Sequence, residues 1–259
     1  MRWPDDRPWR VVGTGLAFAS LGLGGALLAA TIFPLIALVT RDPTVRVRRI
    51  QYVVHLSFRL YILLIWRTRI IDLDLTGVGD LAACRSRLII ANHPTLLDVV
   101  LLMSLNPRIR CIVKHQIWSN PFLGGVVRAA GYIRNDLPSD LMIRACADAL
   151  ADGSNLLVFP EGTRSAPDQM GHFQRGFANI AILTATDVRL VLITCRPATL
   201  IRGVPWWRIP LCRPQFTVTG LGALNVNEYL DYQYRAIGAR RLAAHVEQRF
   251  SERHACKNG

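Results

Sequence analysis

The feature that most limits the fold of this chain is one long apolar run. Val11 to Val39 contains no charged residue. That exceeds the ~20 residues a helix needs to cross a bilayer and the roughly 7–15 of a signal-peptide core. Such a run predicts helix held at a membrane. Gly13, Gly15, Gly22, Gly24, Gly25 and Pro34 leave two shapes open: a straight span, or a kink at Pro34 and a return. Ile50 to Trp66 is a second apolar stretch, interrupted by His55 and Arg59 and flanked by Arg46, Arg48, Arg49, Arg67 and Arg69. This is the pattern of an amphipathic helix lying in the interface. Residues 1–68 are therefore expected to form an N-terminal membrane-associating helical segment.

From Arg69 the texture changes to short apolar runs alternating with polar helices. Ile70–Leu75, Leu88–Ala91, Ile109–Val113, Leu156–Phe159, Leu190–Thr194 and Phe216–Thr219 read as strands. Thr95–Ser104, Leu137–Ala151 and Arg175–Thr184 have helical spacing, and Asn227–Ser251 contains a final helix. This alternation predicts an α/β fold over residues 69–259, a mostly parallel sheet flanked by helices.

Charge narrows the partners. Lys and Arg total 31 against 18 Asp and Glu, a formal net charge of +13. Nucleic acid and an anionic membrane surface both suit that excess. The arginines are scattered and match no nucleic-acid recognition motif, so lipid is expected and nucleic acid is not. Lys114 and Lys257 are the only lysines. The six cysteines form no C-x-x-C pair and no zinc spacing; they read as reduced core thiols, and no metal site is expected.

Two segments carry chemistry. In Ala91-Asn92-His93-Pro94-Thr95-Leu96-Leu97-Asp98, a strand runs out into a helix start, where α/β proteins gather their functional groups. On a continuous helix His93 and Asp98 would stand about 140° apart, at ~100° per residue. They meet only if His93 lies in the turn before the helix. Asp98 would then orient the imidazole, leaving Nε2 to accept a proton from an alcohol. In Phe159-Pro160-Glu161-Gly162-Thr163-Arg164-Ser165, a buried strand empties into a polar turn. Gly162 permits close backbone approach, Glu161 can accept from hydroxyls, and Arg164 offers a planar fork suited to phosphate.

Together, N-H-P-x-x-x-D and F-P-E-G-T-R-S about 60 residues later resemble the glycerolipid acyltransferase family, and most of all bacterial 1-acylglycerol-3-phosphate acyltransferases. The resemblance implies acyl transfer from a thioester, acyl-CoA or acyl carrier protein, to the free hydroxyl of a lysophospholipid, with no metal or redox cofactor. It implies that His93 is the general base and Asp98 its orienter. Glu161, Gly162 and Thr163 would shape the acceptor pocket, Arg164 would hold its phosphate, and Lys114 would be a second phosphate contact. Backbone N–H groups near a helix start would meet the oxyanion. The expected location is the cytoplasmic (inner) membrane with the catalytic domain facing the cytoplasm, since Arg41, Arg46, Arg48 and Arg49 outnumber Arg2, Arg7 and Arg10 across the apolar run.

One departure bears on the headgroup. The family's middle motif usually runs Gly, two variable residues, Phe, Ile, Asp, Arg. Here Gly131-Tyr132-Ile133-Arg134-Asn135-Asp136 is shorter, with Asn135 in the place of the arginine and Arg134 one residue away; Arg134 is a candidate substrate-binding residue if it lies in a loop from which it reaches the site. The acceptor is then either phosphorylated or another lysolipid or hydroxylated lipid. A lipid hydrolase using the same His–Asp pair on water is a third possibility.

Overall fold

The computed structural model describes residues 6–165, 171–231 and 234–258; Arg2 and the side chain of Cys256 lie outside what it describes. In chain order the elements are α1 (Arg7–Ala30), α2 (Ile32–Val39), α3 (Pro43–Arg67), β1 (Asp72–Asp74), β2 (Leu88–Ala91), α4 (Asp98–Met103), β3 (Ile109–Val113), α5 (His115–Trp118), α6 (Gly124–Ala129), β4 (Ile133–Arg134), α7 (Ser139–Ala151), β5 (Asn155–Val158), α8 (Gly176–Thr184), β6 (Val188–Arg196), β7 (Gln215–Leu224) and α9 (Arg235–Asn258).

The seven strands form one sheet in the order β1-β7-β6-β2-β5-β3-β4. Only the β6–β7 pair is antiparallel. The apolar, β-branched strands are those of a sheet buried on both faces. Strand β2 shows how one sequence serves two cores. Ile89 and Ala91 point to the face covered by α1, α3, α4 and α6, while Leu88 and Ile90 point to the face covered by α7, α8 and α9. Alternation along a strand requires this division.

The expected α/β class and mostly parallel sheet are found, with differences at the edges. Strands β6 and β7 run longer than expected, and α4 starts three residues later. Strand β4 and helices α5 and α6 were not foreseen, because elements of two to six residues show no full period. Of the thiols, Cys111 and Cys146 are buried, but Cys212 is exposed and Cys84 and Cys195 are half-buried.

The apolar run breaks at Thr31, whose φ is −121° and ψ −69°, three residues before Pro34. A proline offers no N–H to the carbonyl of residue i−4, here Ala30, and its ring crowds that group. The run from Arg7 to Val39 is long and apolar enough to cross a membrane, yet 6% of its most apolar window is buried. One side of α1 packs on α6 so closely that a Cβ on Gly125 would stand 2.7 Å from the Ala29 Cβ. Val12, Leu16, Leu23 and Leu27 lie exposed, within about 60° of one another around the helix. On α3, Tyr52, Leu56, Leu60 and Leu63 form a similar exposed stripe.

Residue 68 marks a change of sequence texture, and the core crosses it. Ile50, Val54, Ile62 and Ile65 of α3 share one cluster with Ile89, Leu101 and Val191. Each buried side chain of this size contributes ~1.5–3 kcal/mol. Arg10 adds a polar tie. It is 0% exposed and donates to the carbonyls of Pro210, Leu211 and Cys212 at 2.9, 2.6 and 3.2 Å. This fastens α1 to the β6–β7 connection.

Candidate active site

Strand β2 ends at Ala91, and the side chain of Asn92 continues its ladder. Asn92 is buried; its Oδ1 accepts from the Ile193 N–H at 2.7 Å and its Nδ2 donates to the Ile193 carbonyl at 2.8 Å. The amide imitates a strand residue beside β6 and fixes where the chain leaves the sheet. His93 comes next. No helix lies between it and Asp98, where α4 begins, and His93 Nδ1 stands 2.8 Å from Asp98 Oδ2. The angular separation of a continuous helix therefore does not arise. The His93 ring stacks on Phe159, with centroids 4.3 Å apart and planes at 25°. Its side chain is 19% exposed, that of Asp98 0%.

Thr95 supplies the other partners of Asp98. Its N–H donates to Oδ2 at 2.7 Å and its hydroxyl to Oδ1 at 2.6 Å. Burial raises the Asp98 carboxyl above the usual carboxylate range, and the His93 and Thr95 hydrogen bonds oppose that rise. With Asp98 ionised, Nδ1 carries the ring hydrogen and Nε2 keeps its lone pair.

The second motif is stapled to the first through the main chain of His93. Glu161 Oε1 accepts from the His93 N–H at 3.0 Å, and the Ser165 N–H donates to the His93 carbonyl at 2.9 Å. Glu161 Oε2 accepts from the Gly171 N–H at 3.2 Å and from the Ser165 hydroxyl. Glu161 was expected to meet substrate hydroxyls; the structure instead engages its buried carboxylate with the protein. Gly162 has φ +67°, and a Cβ there would lie 3.0 Å from Gln174 Nε2. The left-handed region costs other residues roughly 1–2 kcal/mol. Thr163 is half-buried beside it.

Arg164 Nη1 donates to the Leu200 carbonyl at 3.0 Å, which also accepts from the Leu96 N–H at 3.2 Å. Burial lowers the Arg164 guanidinium from the usual arginine value, Asp98 holds it up, and Arg202 opposes its charge. The parallel strands β2, β5, β3 and β4 end in that order along one rim. At ~4.8 Å per strand, Lys114 at the end of β3 stands about 10 Å from the β2 exit and Arg134 about 14 Å. Lys114 is exposed. Arg134 is forked onto Asp136 at 2.9 and 2.6 Å and lies over Trp118, so its charge is answered locally. The structure joins His93, Asp98 and the Glu161–Arg164 turn. It gives Arg134 no contact with them.

The N–H groups of His93, Thr95, Leu96 and Leu97 already have acceptors in the protein. The expected oxyanion donors before the helix are thus engaged, whereas the N–H groups of Thr163 and Arg164 bond to no described residue. Burial pushes the Cys195 thiol up to about 12, with Asp98 adding to the rise, so it is no thiolate near neutral pH. An apolar cavity opens beside the site between α1 and α3, lined by Ala17, Tyr61, Ile65, Leu97, Leu200 and Ile209 among others. Asn92, Thr95 and Phe159 carry site geometry that motif reasoning did not assign. A polar residue at the end of an apolar strand was the available signal for Asn92.

Residues 74–196 match the family described as Acyltransferase. A chloroplastic 1-acyl-sn-glycerol-3-phosphate acyltransferase of Arabidopsis thaliana is 31% identical over 103 residues, 38% of this chain and 29% of that protein. Over the first three curated relatives the chain spans 29%, 35% and 31% of their lengths. A lyso-ornithine lipid O-acyltransferase of Pseudomonas aeruginosa is 29% identical over 138 residues, 52% of each chain. The crystal structure of the 1-acyl-sn-glycerophosphate acyltransferase PlsC from Thermotoga maritima shares the fold, with a TM-score of 0.73, 17% identity and 98% of both chains covered. With both motifs on one rim of that fold, the α/β domain of this chain resembles the glycerolipid acyltransferases, and its residues 74–196 match the Acyltransferase family.

Proposed function

We propose that this chain moves a fatty acyl group from an acyl thioester to the free hydroxyl of a lysophospholipid such as 1-acylglycerol-3-phosphate. The observation that carries the reading is the His93–Asp98 pair at 2.8 Å, stapled through the His93 backbone to the turn that bears Arg164. An alcohol is a poor nucleophile at neutral pH. His93 Nε2 takes its proton as the oxygen attacks the thioester carbonyl, a contribution of ~10²–10⁴ in rate. Asp98 stabilises the imidazolium. As the tetrahedral intermediate collapses, the C–S bond breaks and the imidazolium returns the proton to the departing thiolate. The N–H groups of Thr163 and Arg164, which bond to no described residue, stand in the loop beside His93 and suit the oxyanion. No acyl-enzyme is needed.

The acyl chain enters the cavity between α1 and α3, and the exposed stripes of these helices dip into the bilayer. Because α1 packs on α6 and Arg10 is sealed under residues 210–212, the helix pair lies in the interface rather than crossing it, with the site on the cytoplasmic side. A second acceptor class is favoured by one observation. Arg134 is neutralised by Asp136, and a relative is named for a lyso-ornithine lipid, so a lysolipid without phosphate is the competing substrate.

The test is an assay of the purified chain in lipid vesicles with labelled acyl-CoA or acyl carrier protein and a panel of lysolipids. Labelled diacyl lipid supports the reading. Free fatty acid as the sole product would make the protein a hydrolase.

A further inference from the structure

The cations around the site are not equivalent. Arg134 has Asp136. Asp98 holds the Arg164 guanidinium up, but its two oxygens are taken by His93 and Thr95. Arg202 is exposed and makes no hydrogen bond or ion pair with a described residue. It stands two residues beyond Leu200, whose carbonyl is held from one side by Arg164 and from the other by the Leu96 N–H. Leu200 itself is 7% exposed and sits at φ +54°. A buried leucine in the left-handed region is rare and persists only where its surroundings over-determine it. Here both motifs fix it, and it turns the chain so that residue 202 follows directly after the Arg164 anchor. Arg202 opposes the charge of Arg164. Arg164 anchored on the Leu200 carbonyl and Arg202 two residues further along, with no free carboxylate paired to either among the described residues, suit an anion of more than one charge.

We infer that Arg202 is a second ligand of the acceptor's phosphate monoester, paired with Arg164 across the Leu200 carbonyl. The position in the molecule agrees. Arg202 begins the loop that carries Trp206 and Trp207, and Trp206 packs edge-on against Phe18 of α1, 6.3 Å between centroids. Tryptophans of this kind favour the headgroup level of a membrane. Arg202 therefore meets a headgroup entering from the bilayer, on the β6 side of His93 and opposite Lys114 and Arg134. The inference rests on the acyl-transfer reading for its substrate and extends it by naming the group that reads the headgroup charge.

The experiment compares wild type, Arg202→Gln and Arg202→Lys as full chains in vesicles. One arm measures kcat/KM for 1-acylglycerol-3-phosphate relative to 1-acylglycerol. The other measures equilibrium binding of 1-acylglycerol-3-phosphate in mixed micelles. Arg202→Gln is expected to lower the selectivity ratio about tenfold, through KM and not kcat, and to weaken binding by a similar factor. Arg202→Lys is expected to recover part of both. An unchanged ratio with unchanged binding overturns the inference, as does an equal loss for both acceptors. If wild type transfers to neither lipid but binds the phosphorylated one, and Arg202→Gln loses that binding, the anion site stands and the acyl-transfer reading falls.

Discussion

The two sides of the site are built on different principles. On the His93 side the polar groups other than His93 Nε2 are answered inside the protein. Asp98 has three hydrogen bonds from His93 and Thr95, Asn92 has two to Ile193, and the main chain of His93 is held at both its N–H and its carbonyl. On the cation side, Lys114 and Arg202 are exposed at the ends of a strand and a loop, and Arg164 has one anchor. Proton transfer needs a fixed geometry, because an error near 1 Å can cost about 10²-fold. Headgroup recognition needs free donors, which a fully satisfied network cannot offer. Under the proposed function, the difference separates the residues that do chemistry from those that choose the acceptor.

Substitutions can break this division, and the largest effect is expected at His93. His93→Ala removes the base and is expected to lower kcat by ~10²–10⁴ or more, with the thermal unfolding profile retained; transfer near the wild-type rate would place the chemistry elsewhere. Next comes Glu161→Gln. An amide turns a donor toward one of the N–H or hydroxyl groups that the carboxylate now accepts. Expected are a stability loss of ~1–3 kcal/mol in denaturant unfolding and a kcat lower by about 10–100-fold, with acceptor KM little changed. A rise in KM alone would move Glu161 to the recognition side.

The smallest effect is a pH dependence. Burial raises the Asp98 carboxyl, so the folded protein binds that proton more tightly than the unfolded chain does. Its stabilising contribution is full below the ordinary carboxylate range and is lost as pH rises through the raised folded value. Asp98→Asn has no such proton to lose. The Tm of Asp98→Asn minus that of wild type is therefore expected to increase as pH rises from below the ordinary carboxylate range to neutral. A decrease over that interval would mean that the hydrogen bonds outweigh burial.

Much of the rigid side was legible in the sequence. A strand exit at Ala91 and a helix start near Asp98 define a turn, and a His–Asp pair can close only across such a turn. The loosely partnered side was less legible. Arg134 read as a candidate substrate contact because its neighbour Asp136, two residues on, is invisible as a partner until the loop conformation is known. Glu161 read as a pocket residue because its three partners come from segments 68 residues before it and 4 to 10 after it. Arg202 lay in a proline- and tryptophan-rich loop whose sequence reads equally well as a membrane-interface loop or as one packing its tryptophans on the core. The kink showed the same limit. Pro34 was the visible cause, but its effect falls three residues upstream, where the missing hydrogen bond and the ring clash act.

The division is tested most directly by measuring equilibrium binding of 1-acylglycerol-3-phosphate, in mixed micelles, to His93→Ala and Arg164→Ala side by side. The predicted result is that His93→Ala binds within about twofold of wild type while Arg164→Ala binds at least about tenfold more weakly. Equal binding by the two variants, or a greater loss in His93→Ala, would contradict the assignment of chemistry to one side and headgroup recognition to the other.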